Sequence, residues 1–430
     1  MFLKRENELD ILEENFKKST SDILFIFGRK KVGKTALVSE YIEGKSAIYI
    51  SSIEMIPNLY FKNLHKYLMN FFDVKSTEQI DSFEGILKFI NAQNILKKTV
   101  IVFDDFHNLI KIDKNALYTI STFWQKELKN KNIQLIITSS IYSSALKDIK
   151  IYEKASGVIF LKSLDIGIIK EVIPEAAKTD IMYIYASFGT NPNYLKNYDI
   201  KKDFILNAKD TFLMPDSWLF DEGMNIIKQD LNDILTYSSI LHAISMGNNK
   251  IGEIASFIGL KSTYLTRYIQ RLVDMMIICK IVPINDDKSK SKFGRYFIED
   301  NFLKFWFCYV YPNISTLRKN DIYPVISHIR RDFSKRLVTD AYKNYVYDLV
   351  SSDPEKFFGY LPIKMGSWWN NKDSEIDIVG FDDAEITFVD CRWRKKDSIE
   401  YSYKQLQKKS ENIKTPLVKK YVIFAKNYTS

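Results

Sequence analysis

The sequence predicts an α/β protein that begins with a parallel β-sheet covered by helices on both faces. Five short apolar runs alternate with amphipathic stretches up to about residue 200. Buried strands that alternate with helices are typical of parallel sheets, because the crossover helices cover both faces. The middle of the chain has mostly helical patterns, and its end returns to strands. We therefore expect three domains, at residues 1–200, 201–300 and 301–430.

The length and composition agree with this division. The chain has 430 residues, and a domain averages about 150 residues. The apolar content of 46% and the charged content of 27% are typical of a globular protein. No run is long and apolar enough to span a bilayer, and the N-terminus lacks the apolar core of a secretory signal. We expect a cytoplasmic protein that has no membrane partner.

The elements of the first domain can be placed from their periodicity. Strands are predicted at residues 23–27, 47–50, 100–103, 135–137 and 158–161. Helices are predicted at residues 58–72, 83–96 and 117–128. The three cysteines are scattered and form no CxxC pair, which argues against a disulfide framework and against a structural zinc site.

A glycine-rich segment follows the first predicted strand and opens a predicted helix at residues 35–42. It matches the P-loop pattern G-x-x-x-x-G-K-[ST]. The residues that we expect to surround phosphate are Gly28, Arg29, Lys30, Lys31, Val32, Gly33, Lys34, Thr35 and Ala36. The glycines permit turns that point N–H groups at phosphate oxygens, and the helix N-terminus adds its positive dipole end. Lys34 would reach the β- and γ-phosphates, and the Thr35 hydroxyl would bind Mg²⁺.

The sequence therefore predicts a site for ATP and Mg²⁺. The alternative, a glycine turn that feeds a helix and binds nothing, is disfavoured by the strand before it and the helix after it. Two acidic residues support the first interpretation. The third predicted strand ends in Asp104 and Asp105, which places carboxylates at the edge of the sheet where the P-loop lies.

The two acidic residues are expected to have different roles. Asp104 should hold Mg²⁺ directly or through water. Asp105 occupies the position where a glutamate usually polarises the attacking water, and it is shorter by one methylene. We therefore expect hydrolysis to be slow or to use a different arrangement of residues. The fourth predicted strand leads into Thr138, Ser139 and Ser140. A hydroxyl there, with Ser139 as the candidate, could contact the γ-phosphate or the attacking water, although serine and threonine often end strands for local reasons.

Several segments resemble the archaeal ATPase family, which belongs to the STAND branch of AAA+-related P-loop proteins. They are the N-terminal pattern Phe2-x-x-Arg5-x-x-Glu8-Leu9, the strand "LIITSS" at residues 135–140, and "SFGTNPNYL" at residues 187–195. The resemblance implies that the N-terminal segment packs near the adenine. It also implies an arginine before the fifth strand, and Lys154 stands at that position. Lysine cannot donate the planar fork of arginine to a phosphate.

The middle region has the pattern of a helix-turn-helix followed by a β-ribbon, and it resembles the winged helix of the same family. In one interpretation the second helix enters a DNA major groove and the lysine-rich wing touches the backbone. In the other, the region packs on the ATPase as a regulatory arm. The residues that would contact nucleic acid are Arg267, Arg271, Lys288, Lys290 and Lys292.

The C-terminal region resembles the restriction-endonuclease-like domain of this family. The resemblance rests on "GSWW" at residues 366–369, "EIDIV" at 375–379 and "FVDCRW" at 388–393. It implies that Asp377 and Asp390 share a metal ion, with Asp340 as a further acid. Arg392 stands where the family has a lysine, and arginine is a poor base. A fold that binds without cleaving is therefore favoured over an active nuclease.

Three hypotheses follow. In the first, ATP binding and slow hydrolysis act as a switch that changes how the domains dock. In the second, ATP controls a Mg²⁺-dependent nuclease. In the third, the chain is a non-enzymatic DNA-binding regulator. The formal net charge of +9 permits a nucleic-acid partner without requiring one. A homo-oligomer in which a neighbouring subunit supplies an arginine is also open.

Overall fold

The computed structural model describes residues 4–142, 155–228, 231–287, 290–370, 374–394 and 398–426. The chain forms two compact units. The first contains Met1–Leu164 and Asp274–Met276, and the second contains Asp165–Val273 and Ile277–Ser430. Within the described ranges, every helix is too short or too polar to cross a membrane. The division into three domains stays a prediction.

The first unit is an alternation of strands and helices. Its strands are β1 (Asp22–Phe27), β2 (Ala47–Ser51), β3 (Thr99–Asp104), β4 (Ile133–Ser139) and β5 (Gly157–Phe160). Its helices are α1 (Glu6–Phe16), α2 (Lys34–Ile42), α3 (Pro57–Phe72), α4 (Phe83–Ala92), α5 (Phe106–Ile112) and α6 (Ala116–Lys126), with a 3₁₀ turn at Leu128–Asn130. Each of the five predicted strands is present. The predicted helix at 83–96 was too long, because α4 ends at Ala92.

The five strands form one parallel sheet in the order β2-β3-β4-β1-β5. Alternate residues of β1 point to opposite faces. Ile23 and Phe25 join one hydrophobic cluster, and Leu24 and Ile26 join the other. Both faces of the sheet are therefore buried, as the continuous apolar runs require. The α/β fold class predicted from the sequence is confirmed.

The remaining strands are β6 (Ile278–Ile281), β7 (Arg295–Ile298), β8 (Lys364–Trp369), β9 (Glu375–Phe381), β10 (Glu385–Arg392) and β11 (Val418–Ala425). The helices from Ile168 to Asp274 are α7 (Ile168–Val172), α8 (Lys178–Phe188), α9 (Pro192–Leu195), α10 (Phe204–Ala208), α11 (Glu222–Lys228), α12 (Ile234–Ser245), α13 (Ile251–Ile258) and α14 (Ser262–Asp274). Those after β7 are α15 (Asn301–Phe305), α16 (Ile314–Leu317), α17 (Tyr323–Asp332), α18 (Leu337–Ser352), α19 (Pro354–Phe358) and α20 (Ile399–Ser410). Short π-helical segments lie at Lys209–Leu213 and Trp306–Val310, and a 3₁₀ turn lies at Tyr311–Asn313.

The second unit contains a helix-turn-helix, a two-stranded ribbon and a four-stranded sheet. Helices α13 and α14 are separated by a turn in which Gly259 has a φ of +73°. Strands β6 and β7 then pair antiparallel. The C-terminal sheet has the order β11-β10-β9-β8, with β10 and β11 parallel and the other neighbours antiparallel. This order of elements agrees with the winged-helix prediction, which stays a prediction.

The loop of the ribbon packs against the edge strand of the C-terminal sheet. The Ile284 amide donates to the Ser367 carbonyl at 2.9 Å, and the Ile284 side chain belongs to the hydrophobic cluster of that sheet. The Trp369 indole donates to the Phe293 carbonyl at 3.1 Å. An edge strand exposes unpaired backbone groups, and the ribbon loop covers part of that edge here.

One helical segment was predicted wrongly. From the sequence alone, the aromatic pattern over residues 331–350 predicts one helical segment in the C-terminal region, whereas α17 ends at Asp332 and α18 begins at Leu337. The turn between them places Phe333 against Phe204, with parallel rings 4.7 Å apart. The break between α17 and α18 therefore coincides with the packing of the Phe333 ring on Phe204. Strand β8 was also missed, because "GSWW" was treated as a motif and not as a strand.

Two helical glycines provide a matched test of the core of the second unit. A Cβ on Gly223 would lie 2.2 Å from Cδ2 of the buried Trp306. We expect Gly223→Ala to destabilise the unit by at least about 1–3 kcal/mol, the usual cost of overpacking. Gly252 has open space at its Cβ, so Gly252→Ala should stabilise its helix by about 0.5–1 kcal/mol. Thermal unfolding of both variants measures this, and equal shifts would contradict the packing account.

Candidate nucleotide-binding site

The P-loop lies at the carboxyl end of β1, where the chain turns into α2. The strand order puts β4 between β1 and β3. The P-loop, the end of β4 and the acidic end of β3 therefore share one edge of the sheet, where open α/β sheets bind ligands. The Gly28 amide donates to the Ser139 carbonyl at 3.3 Å, which ties the start of the loop to the end of β4.

The two P-loop glycines occupy positions that other residues would strain. Gly33 has a φ of +103°, which a residue with a Cβ rarely adopts. A Cβ on Gly28 would lie 2.8 Å from Val32 Cγ1 and 2.9 Å from the Leu161 carbonyl oxygen. No described side chain caps α2, which begins after Gly33. The first N–H groups of α2 are therefore left for phosphate oxygens.

Lys34 is buried and folds back on the loop. Its Nζ donates to the Gly28 carbonyl at 2.8 Å and to the Arg29 carbonyl at 3.3 Å. Burial lowers the pKa of Lys34 to about 8, although Asp105 and Asp104 oppose the change. A phosphate is a stronger acceptor than a carbonyl and carries charge. Lys34 is therefore placed to bind a phosphate from within the loop, and its protonation depends on pH near neutrality.

Asp104 is the most constrained carboxylate of this edge. The Thr35 hydroxyl donates to Asp104 Oδ2 at 2.8 Å. The Tyr49 hydroxyl donates to the same oxygen, and Thr138 Oγ1 donates to Asp104 Oδ1. A hydrogen bond to a charged group contributes about 1.5–3 kcal/mol. Burial and the hydrogen bond to Asp104 raise the pKa of Tyr49, which keeps this phenol a donor.

Tyr49 was not predicted from the sequence, and Thr138 was one of three strand-end hydroxyl residues considered there, with Ser139 as the candidate. Tyr49 lies on β2 opposite Val102 of β3, and Thr138 precedes Ser139 near the end of β4. In the sequence, each of them stands out only as a polar residue within a mostly apolar predicted strand or at its end. Both residues donate a hydrogen bond to Asp104 because β2 and β4 flank β3 in the sheet. The order of the strands along the chain does not reveal which strands are neighbours. The sequence pointed to Ser139, one residue further along.

Asp105 occupies the N-cap position of α5 with a φ of +51°, and its side chain makes no capping hydrogen bond. Its amide donates to Thr138 Oγ1 at 3.0 Å, and its Oδ1 lies 4.0 Å from His107 Nδ1. The Ser139 hydroxyl donates to the Ile141 carbonyl at 3.0 Å and lies 3.5 Å from His107 Nδ1. Thr138 is thus the strand-end hydroxyl that touches both acids. The catalytic role of Ser139 stays a prediction, and Lys154 lies outside the described residues.

Two buried arginines tie the P-loop to neighbouring segments. Arg5 Nη2 donates to the Val32 carbonyl at 3.2 Å and to the Lys162 carbonyl at 2.7 Å. Arg29 Nη2 donates to Ser163 Oγ at 3.1 Å. Arg5 therefore joins the N-terminal segment to the P-loop and to the chain after β5. That the N-terminal segment packs near the adenine, as the resemblance implies, stays a prediction.

The described residues fit a magnesium nucleotide. The Thr35 hydroxyl and the Asp104 carboxylate lie together, and oxygen ligands of this kind are what Mg²⁺ prefers. The uncapped start of α2 and the buried Lys34 ammonium suit the phosphates that Mg²⁺ accompanies. These three features converge at one edge of the sheet.

The residues predicted to contact nucleic acid lie on α14 and in the ribbon loop. Arg267 is exposed, and its guanidinium lies over the rings of Tyr264 and Tyr268, at 5.0 and 4.8 Å from their centroids. Its Nη2 also donates to the Tyr268 hydroxyl at 3.0 Å. Arg271 is half-buried on the same helix. Arg267 is therefore held in one orientation on the exposed side of α14.

The lysines of the ribbon loop are less completely described. Lys290 and Lys292 are exposed, and Lys288 lies outside the described residues. The loop they belong to is anchored on β8 through Ile284. These lysines are accessible to a polyanion, and their role in binding nucleic acid stays a prediction.

The C-terminal carboxylates predicted to hold a metal already have cationic and N–H partners. Asp377 Oδ1 lies 2.6 Å from Lys343 Nζ, and Asp377 Oδ2 accepts from the Cys391 amide at 2.8 Å. Asp390 pairs with Arg392, which is the residue that replaces the expected lysine. Asp377 and Asp390 come from paired strands, but no metal-ligating group of three is found in the described ranges. The arrangement does not fit a resident Mg²⁺ ion.

Asp340, the further acid predicted for this site, is also paired. Its Oδ2 lies 2.6 Å from Lys304 Nζ. Lys343 was not singled out in the sequence, because it precedes the "EIDIV" segment by more than 30 residues. Only the packing of α18 against the sheet shows that it reaches Asp377.

Comparison with known proteins agrees with this geometry. Residues 2–198 match a family described as an ATPase domain predominantly from Archaea, and residues 306–409 match one described as archaeal and bacterial proteins of unknown function. An uncharacterized protein of Methanocaldococcus jannaschii is 30% identical over 431 residues, covering 96% of this chain and 92% of that protein. An uncharacterized ATP-binding protein of the same organism is 36% identical over 45 residues, covering 10% of this chain and 76% of that protein.

A solved structure gives the same result for the fold. The Walker-type ATPase of Pyrococcus abyssi superposes with a TM-score of 0.50 and 15% identity, covering 71% of this chain and 96% of that one. The parallel sheet and the P-loop edge define a P-loop ATPase. The chain belongs to the archaeal ATPase family, as its N-terminal domain and its full-length relative show.

The low pKa of Lys34 generates a prediction about nucleotide binding. Near pH 9, above a pKa of about 8, much of Lys34 is neutral, whereas a bound phosphate favours the ammonium. We expect ATP binding to take up a proton at that pH, and the affinity to fall by up to about ten-fold per pH unit above 8. Calorimetry in buffers of different ionisation enthalpy measures the uptake.

Lys34→Arg is the control for this measurement, because arginine stays protonated throughout the range. Its affinity, although changed in size, should vary little between pH 7 and 9. Equal proton uptake in the variant and in the original chain would show that another group titrates. No uptake in either would contradict the effect of burial on Lys34.

Proposed function

We propose that this protein is a Mg²⁺-dependent ATPase that hydrolyses ATP slowly and uses the nucleotide as a switch. The observation that carries the proposal is the hydrogen bond from Thr35 to Asp104 at 2.8 Å. It brings the hydroxyl of the P-loop and the carboxylate of β3 to the same point, where a magnesium nucleotide would need both. The family match supports ATP as the nucleotide.

Each residue of the candidate nucleotide site has a role in this proposal. The uncapped amides of α2 and the Lys34 ammonium bind the phosphates. Thr35 and Asp104 would hold Mg²⁺, which when bound would supply positive charge to offset the negative charge that develops during phosphoryl transfer. Asp105 orients the attacking water. Its carboxylate is short for this task, so that the chain would remain in the ATP-bound state for longer than an efficient ATPase does.

The second part of the proposal is that the bound nucleotide acts as a switch. Slow hydrolysis suits a protein whose ATP-bound and ADP-bound forms must each persist. The contacts of Asp104 provide a means, because Thr35 and Tyr49 share its Oδ2. If Asp104 exchanged the Tyr49 hydrogen bond for contacts to a bound nucleotide complex, β2 would lose this tie to β3. The cytoplasmic location and a homo-oligomer stay predictions.

Two substitutions separate binding from hydrolysis. Lys34→Ala removes the phosphate-binding ammonium and should abolish ATP binding in calorimetry while the circular dichroism spectrum is kept. Asp105→Asn keeps the shape of the side chain and removes its charge. It should bind ATP normally and lose hydrolysis by about 100-fold, a usual loss for a catalytic base.

The two variants control for each other, since both alter a charge at the same edge of the sheet. Unchanged ATP affinity in Lys34→Ala would exclude the P-loop as the binding site. Unchanged turnover in Asp105→Asn would assign the orientation of water to another residue. Activity that remains in both would indicate a contaminating ATPase.

A second candidate function, nucleic-acid binding by the helix-turn-helix, is favoured by one observation. The guanidinium of Arg267 is held over two tyrosine rings on the exposed side of α14, so that little conformational freedom is lost when it meets a phosphate. The exposed lysines of the ribbon loop would add contacts to the backbone. The geometry does not favour the nuclease hypothesis, because cations already pair with Asp377 and Asp390.

The nucleic-acid proposal predicts salt-dependent binding. Affinity for duplex DNA, measured by fluorescence anisotropy, should fall steeply between low and physiological salt. Arg267→Ala should weaken binding, and Lys290→Ala with Lys292→Ala should reduce the slope by about one per lost phosphate contact. Lys404→Ala, a change in an exposed ion pair on α20, is the matched control. Binding that is absent, or insensitive to salt, would contradict the proposal.

A further inference from the structure

Charged residues from three parts of the second unit converge on the C-terminal sheet. They are three carboxylates on β9 and β10, two cations from helix α18 and ribbon strand β7, and a cation on β10. The six residues are Glu375, Asp377, Asp390, Lys343, Arg295 and Arg392. We call them the charge network. Its three negative and three positive charges cancel.

Lys343 has the central place in the network. Its Nζ lies 2.6 Å from Asp377 Oδ1 and 3.4 Å from Glu375 Oε1. Asp377 has only 8% of its side chain exposed, and a buried carboxylate is costly unless a cation and hydrogen bonds satisfy it. Lys343 supplies the cation, and the Cys391 amide supplies a hydrogen bond at 2.8 Å.

The other pairs complete the network. Arg392 pairs with Asp390, and Arg295 Nη1 donates to Glu375 Oε2 at 3.0 Å. Arg295 also lies over the ring of Trp369, 4.5 Å from its centroid, so its guanidinium is held in place on both sides. Each of the three carboxylates of the charge network, which are the candidate metal ligands of the sheet, therefore has a positively charged side chain beside it.

We propose that Lys343 takes the place of a divalent cation between Asp377 and Glu375, and that the charge network fastens α18 and the ribbon to the C-terminal sheet. The carboxylates that resemble a metal site thus hold the second unit together. The proposal is independent of the ATPase function, because its residues all lie in the second unit.

Metal binding by the nucleotide-free chain tests the proposal. We expect no saturable Mn²⁺ binding to the original chain in calorimetry or in electron paramagnetic resonance titration. Lys343→Met has a similar length and no charge, and should create a saturable Mn²⁺ site. Lys343→Arg keeps a cation and should not create one. Adding Asp377→Asn to Lys343→Met should remove the new site.

Thermal unfolding tests the fastening role and does not depend on metal. Lys343→Met leaves Asp377 buried without its cation and should lower the unfolding temperature. Lys343→Met with Asp377→Asn replaces the pair by neutral groups and should recover part of that loss. Lys404→Ala, in the exposed pair on α20, should change the temperature little.

Several results would overturn the proposal. Saturable Mn²⁺ binding to the original chain that Asp377→Asn abolishes would show a resident metal site, and this test needs no change at Lys343. A folded Lys343→Met variant that gains no Mn²⁺ site would show that Lys343 does not stand in for a cation. Additive losses of unfolding temperature in the double variant would show that the pair is not coupled.

One further result would support the proposal. If the original chain binds Mn²⁺ and Thr35→Ala abolishes that binding, the site belongs to the P-loop, and Asp377 is without a metal, as proposed.

Discussion

The hydrogen bond between Thr35 and Asp104 is the contact on which the account of this protein depends. It joins the helix after β1 to the acidic end of β3, two strands that are separated by β4. Such a contact requires that the two strands run parallel and end at the same edge of the sheet, close enough for the two side chains to meet. The geometry of the sheet and the chemistry of the site are therefore closely linked.

The same carboxylate shows how the sheet prepares a site before any ligand arrives. Donors from α2, β2 and β4 meet on Asp104, so that it is satisfied although it is buried. Lys34 is likewise satisfied by carbonyl oxygens of its own loop. A magnesium nucleotide would replace these internal partners by stronger ones. Under the proposed switch, the difference in free energy between the two sets of contacts would drive the change between the two nucleotide states.

Much of the first unit could be predicted from the sequence, because its signals are local. The apolar runs gave the five strands, and the P-loop pattern gave the start of α2. The roles of Tyr49 and Thr138 could not be predicted, since they depend on which strands lie beside β3. Lys343 was missed for the same reason, as its partner Asp377 is distant in the chain. The interruption between α17 and α18 coincides with the packing of Phe333 on Phe204, a contact between residues distant in the chain that no local pattern reveals.

The central claim is that Thr35 and Asp104 hold a metal with a nucleotide, whereas Asp377 does not. A crystal structure of the chain with Mn²⁺ and a non-hydrolysable ATP analogue tests it most directly, through the anomalous signal of manganese. The account predicts a peak within bonding distance of Thr35 Oγ1 and near Asp104, with Lys343 still paired to Asp377. A peak at Asp377, or nucleotide density without metal at Thr35, would contradict it.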